Sequence, residues 1–166
     1  EYHSFREIDP STVAAIIEVA DPRMAVIIRL AIATGARRGE LGALKWSDID
    51  YHKRLITFQR SVVDGGPASK VKPTKTRTTG IVSVGEATVA SIETWRAHQT
   101  AVSEKAGFGP LDDDGWVFPS QDWGHPISLN QITYDWRTLA DVHGLEGVRF
   151  HDYADLSVMP TLAGDR

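Results

Sequence analysis

Apolar side chains recur at Val13, Ile16, Ile17 and Ala20 behind Asp9-Pro10, the spacing of one helical face preceded by an N-cap and a first-turn proline. A second helix is expected from about Arg23 to Thr34. Its stretch Met24 to Ala33 is apolar nearly all round, which marks it as central, and Gly35 suits the left-handed position after a helix. A third, shorter helix should hold Arg37 to about Lys45, before a turn at Trp46-Ser47-Asp48. RLITFQ, Arg54 to Gln59, has the β-branched and aromatic content of a strand, and SVVDGGPASK reads as the loop after it. KVKPTKT and GIVSV flank a turn at Arg77 to Gly80, so three short antiparallel strands are expected, the last two forming a hairpin. Glu86 to Lys105 reads as a long helix with Val89, Ile92 and Val102 inside, closed by Gly107. LDDDG is a surface loop and WVFP a short buried strand or turn. Ser128 caps a last helix carrying Ile132, Trp136 and Leu139, which ends at Gly144. The expected fold is α+β but mainly α, one domain over 1–166 with a small three-stranded antiparallel sheet inserted after the third helix.

Composition narrows the class. The chain has 166 residues, 42% of them apolar, enough for one real core. No apolar run approaches the roughly 20 residues that span a bilayer, and the polar start EYHSFREIDP is no signal peptide, so a soluble protein without a membrane partner is expected. Cysteine is absent, which excludes disulfides and thiolate metal sites and fits a reducing cytoplasm. A start at Glu1 without methionine reads as a piece of a longer chain. The net charge of −4 argues against a nucleic-acid partner until its distribution is examined: between Arg37 and Arg77 ten Lys and Arg face four acids, a surplus of +6 that leaves −10 elsewhere. A basic middle in an acidic chain is the footprint of a polyanion-facing surface. The six histidines show no ligand spacing, Asp112 to Asp114 reads as a solvated turn, and G-x-S-x-G, Walker and dinucleotide motifs are all missing, so neither metal nor cofactor is expected. Trp116, Phe118, Trp123 and Trp136 belong to the core or its rim, because no basic residues interleave with them.

The stretch TGARRGELGALKWSDID, Thr34 to Asp50, sits where the most apolar helix gives way to the next. If Arg37 is helical, Leu41 and Leu44 share its face and Arg38 points about 100° away, so Arg37 should aim inward. A guanidinium at a helix N-terminus opposes the macrodipole and needs anions. Glu40 supplies one, either as a simple ion pair or as the buttress of a fork that still has donors free for a phosphate.

This stretch closely resembles the first arginine box of the tyrosine-type site-specific recombinases, the phage integrase family. Thr34-Gly35, Arg37, Glu40-Leu41, Leu44 and Trp46 to Asp50 all fall in register, and the resemblance extends from about Phe5 to Tyr153. It implies the DNA breaking-rejoining fold and a duplex DNA partner. Arg37 would grip the scissile phosphate with Glu40 supporting it. Lys75 would protonate the leaving oxygen, with Lys72 the alternative if the register slips. RFHDYAD matches the second box, which places His151 in the site, while Arg38, Lys70, Lys72 and Arg77 would contact DNA. Ala154, however, stands where the second phosphate-gripping arginine belongs. Tyr153 and Tyr134 match no nucleophile, and Pro160 interrupts the helix that should follow. The resemblance thus implies a catalytic-type domain of a bacterial or phage-encoded cytoplasmic recombinase that acts in DNA integration. The resemblance further implies that an N-terminal DNA-holding domain and a C-terminal tyrosine segment belong to the full-length protein and are absent from this piece, that the full-length protein could form a homo-oligomer on DNA, and that this chain would not cleave. The alternative is a non-catalytic DNA-binding or regulatory fragment.

Overall fold

Asp9 and Asp21 open the first two helices in the same way. In the computed structural model, which describes residues 8–64, 67, 69–74 and 80–150, the Asp9 carboxylate accepts from the Ser11 N–H at 2.9 Å and the Asp21 carboxylate from the Met24 N–H at 3.0 Å. A proline follows each cap, where its missing N–H costs nothing. Helix α1 spans Pro10–Val19 and α2 Pro22–Thr34, and Gly35 ends α2 at φ 68°. α2 is the central helix: Met24, Val26, Ile27, Ile28, Leu30 and Ala31 are buried, and it packs on α1, α3, α4 and α5. α3 is short, Arg38–Gly42, and a 310 turn follows at Trp46–Asp48.

Five strands come next: β1 Ile49–Asp50, β2 Leu55–Phe58, β3 Arg60–Val62, β4 Val71–Pro73 and β5 Gly80–Ser83. They form a three-stranded antiparallel sheet in the order β1-β2-β5 and a two-stranded sheet β3-β4. The expected hairpin between the last two strands is therefore corrected. β4 pairs with β3, Ser61 opposite Lys72, whereas β5 pairs with β2, Phe58 opposite Gly80. Since β2 and β3 are separated only by Gln59, residues 55–62 act as one long rib. The chain returning along it changes register by five positions between Thr74, whose N–H reaches Gln59 O, and Gly80. The turn signal TRTTG looks local, but its two flanks bond to a common partner strand and not to each other. Ile56 and Phe58 face the core.

α4, Glu86–Lys105, buries Thr88, Val89, Ile92, Trp95, Gln99 and Ser103. Val102, expected inside, is 41% exposed. Ten residues beyond Ile92 puts it about 280° round the helix, whereas Ser103, eleven beyond, returns to within about 20° of the apolar stripe. Ser103 can occupy that place because its hydroxyl donates to Gly109 O at 2.7 Å. The WVFP segment is buried at Val117 and Phe118, and Trp95 Nε1 donates to Val117 O at 2.8 Å. α5, Leu129–Val142, buries Ile132, Trp136 and Ala140, with Leu139 at the core margin. Ser128 stands at its N-cap with extended backbone but makes no side-chain capping bond. Among the described residues no helix is long and apolar enough to cross a membrane.

Candidate functional site

The left-handed turn at Gly35 releases the chain from α2, Ala36 is buried, and Arg37 follows with extended backbone, φ −75° and ψ 156°. Arg37 is thus the N-cap of α3 and not its first helical residue. The inward orientation expected from its spacing to Leu41 and Leu44 does not hold: both leucines are buried, but Arg37 is exposed, because helical phase does not extend to a residue outside the helix. Glu40 serves the backbone here, accepting from the Arg37 N–H at 3.1 Å. The Arg37 guanidinium has no hydrogen-bond or ion-pair partner among the described residues.

The two other arginines around the box are engaged. Arg38 is half-buried and donates to Thr133 Oγ1 and to Leu129 O, which ties α3 to α5. Arg60, on β3, turns its fork onto Asp48, with Nη2 to Oδ1 at 2.8 Å and Nη1 to Oδ2 at 3.0 Å. The Asp48 side chain is 2% exposed and also accepts from Gln59 Nε2 at 2.6 Å and the Lys45 N–H at 2.9 Å. A buried carboxylate satisfied by this many donors is held firmly, and removing either charge would strand the other. Gly39 completes the local packing. A Cβ there would lie 2.6 Å from Ser61 Oγ and 2.7 Å from Val62 O, so only glycine lets α3 sit this close to β3. Asp48, Arg60, Gln59 and Gly39 escaped the sequence reading, since an aspartate in W-S-D reads as a turn residue and its partner is fixed only by sheet register.

A second brace holds the segment that leaves the box. Lys45 Nζ reaches Asp114 at 3.0 Å and lies 5.0 Å from the Trp116 ring centroid, while Arg96 reaches Asp113 at 2.8 Å and lies 5.1 Å from the Trp46 ring. The Asp112–Asp114 turn is thus exposed, yet two of its carboxylates pair with cations seated on tryptophans. Among the described residues no group of three His, Asp or Glu is placed to hold a metal ion.

Of the lysines singled out, Lys70 and Lys72 are exposed. Lys72 stands directly opposite Ser61, the residue that touches Gly39. Directly paired residues project on the same face of a ribbon and lie about 5 Å apart, so Lys72 is one strand's width from the start of α3. Lys75, Arg77 and His151 lie outside the described residues, as do Tyr153 and Ala154. The flanks of the Lys75 segment, Thr74 and Gly80, stand opposite Gln59 and Phe58, next to the Asp48 cluster.

With this geometry in view, the sequence model of the Phage integrase family matches residues 6–153. The chain belongs to the phage integrase family. A relative described as a tyrosine recombinase XerC-like protein, from Caldanaerobacter subterraneus subsp. tengcongensis, is 27% identical over 141 residues, which are 78% of this chain and 36% of that protein. Among solved structures, the Tn1549 transposon integrase in complex with transposon right end DNA superposes with a TM-score of 0.73 at 14% identity, over 95% of this chain and 53% of that one. XerA recombinase gives 0.64 at 21% identity, over 95% and 49%. These structural likenesses establish the fold. The integrase-family domain described here spans about a third of the length of its XerC-like relative and about half of each of these structures.

Proposed function

We infer that this domain binds duplex DNA through its backbone phosphates, as part of a protein that carries out site-specific recombination. The observation that carries the reading is the contrast among the arginines in and next to the box: Arg38 and Arg60 are engaged inside the fold, while the exposed Arg37 guanidinium has no partner among the described residues. A free planar fork suits a phosphate. In this reading Arg37 grips the scissile phosphate, and Glu40 acts indirectly by fixing the backbone of the residue that grips it. Lys75, the residue after Thr74 in sequence, protonates the leaving oxygen. His151 helps position the phosphate, and Arg38, Lys70, Lys72 and Arg77 add contacts to flanking DNA, Arg38 only if it leaves Thr133. Whole-protein recombination would need several such protomers on DNA, working without metal or cofactor in the cytoplasm.

Cleavage by this chain is a different matter. Ala154 offers no donor where the family places its second arginine, and losing one charge-stabilising donor costs about 3 kcal/mol or more of barrier. The domain therefore acts as a binder of DNA that does not cut it, and a regulatory role within an integrase system follows as the alternative. A gel-shift titration at two salt concentrations, with and without Arg37→Ala plus Lys75→Ala, tests the binding. Salt-dependent binding weakened by the double substitution is expected, and salt-insensitive or absent binding would favour a helical interaction domain unrelated to DNA. A nicked suicide duplex tests cleavage: no covalent adduct should form, and a trapped adduct would show that strand cleavage does not need an arginine at position 154.

A further inference from the structure

We propose that Asp48 is a positioning residue for anion binding, its buried carboxylate fixing the strand that carries Lys72 in register with the helix start that carries Arg37. The proposal rests on the DNA-binding reading above and deepens it. Asp48 closes the segment that begins with Arg37, and every side chain it binds belongs to the β2-β3 rib: Gln59 at 2.6 Å, and Arg60 through both Nη atoms at 2.8–3.1 Å. Arg60 Nη1 also lies 3.5 Å from Ala43 O, on the chain between α3 and the 310 turn. The residues it grips are the ones that set β4, since Gln59 O accepts from the Thr74 N–H at 3.2 Å and Arg60 pairs with Pro73. One carboxylate thus joins the box to the two rib residues immediately before Ser61, the contact point of Gly39 and the cross-strand partner of Lys72.

An ion pair around a buried carboxylate often adds little net stability over an apolar pair of similar volume, so the contribution assigned to this cluster is registry. Two cations projecting from different elements act on a polyanion as a unit only if their separation is held. The side chains of Arg37 and Lys72 are long and exposed, so the fixed quantity must be the spacing of their backbones. The Asp48-Arg60-Gln59 cluster fixes it from inside, away from the anion itself.

A double-mutant cycle separates this role from simple stabilisation. Affinity for a duplex oligonucleotide is measured by fluorescence anisotropy for Arg37→Ala, Lys72→Ala and both together, first in the native chain and then in a chain carrying Asp48→Asn with Arg60→Gln. That pair removes both charges of the ion pair at once and leaves neither stranded, and a thermal melt checks folding. In the native chain the two substitutions should be non-additive by about threefold or more, and in the neutralised chain they should become additive. Coupling of equal size in both backgrounds would show that Asp48 only stabilises, and overturns the proposal. Additivity already in the native chain also overturns it while leaving the DNA reading intact, whereas no effect of Arg37→Ala on binding removes that reading and the proposal together. If the neutralised chain fails to fold, Asp48→Glu keeps the charge but lengthens its reach by one methylene, and it should lower the coupling while preserving the fold; unchanged coupling there overturns the proposal.

Discussion

Arg37 owes its freedom to a change of backbone conformation over three residues. Gly35 turns the chain left-handed, Ala36 is buried, and the extended Arg37 carries its side chain outward before α3 begins. Because the guanidinium has no partner among the described residues, Arg37→Ala should leave the melting temperature nearly unchanged. It should weaken duplex binding and reduce the slope of log affinity against log salt by about one, as expected when one phosphate contact is lost, and the titration at several salt concentrations measures this. The box glycines should behave oppositely to each other. At Gly39 a new Cβ meets Ser61 Oγ and a backbone oxygen at 2.6–2.7 Å, so Gly39→Ala should destabilise by about 1–3 kcal/mol. At Gly42 the nearest atom is 3.6 Å away, an ordinary contact, so Gly42→Ala should be neutral or stabilise by up to about 1 kcal/mol. Thermal or denaturant melts of the two variants decide it. The sequence shows both as glycines of one box, and the difference between them appears only once β3 is placed alongside.

Among the elements, helices were legible and sheet pairing was not. α1, α2, α4 and α5 follow from apolar spacing and from the punctuation of Asp-Pro starts and glycine stops, all of which lie within a few residues of the bonds they describe. α3 was overextended because Arg37 and Lys45 continue a helical pattern that the backbone does not follow. The strands were found where their composition placed them, but their partners depend on register, which no local signal carries. The Asp9 carboxyl is held below its ordinary value of 3.8, chiefly by the backbone N–H of Ser11 and then by the Ser11 side chain. A depressed folded value means that the cap stabilises α1 fully above the unfolded value and loses this contribution as pH falls through the folded one. Titration from neutral pH towards pH 2 should loosen the start of α1, seen as lower protection of the Ser11 and Thr12 amides relative to their intrinsic exchange rates, and Asp9→Asn should abolish that pH dependence while retaining the cap.

Within the whole molecule, α3, β3 and the 310 turn meet in one small area beside the central helix α2. The sequence pointed to this area through its basic middle and its arginine box, because both are properties of contiguous residues. It could not reveal what holds the area together, since Asp48 meets Arg60 and Arg38 meets Thr133 through contacts that span a dozen to nearly a hundred residues.

The five-position shift along the rib has a practical meaning of its own. The paired stretches on either side of it are complete, and if residues 75–79 were excised, Gly80 would follow Thr74 opposite Phe58 just as Thr74 stands opposite Gln59. The two short ladders would then fuse into one uninterrupted hairpin. A chain so shortened should fold and melt like its parent while losing the lysine it carried there. The domain is therefore built so that evolution, or an engineer, can exchange, resize or delete residues 75–79 as a cassette without rebuilding the ladders on either side.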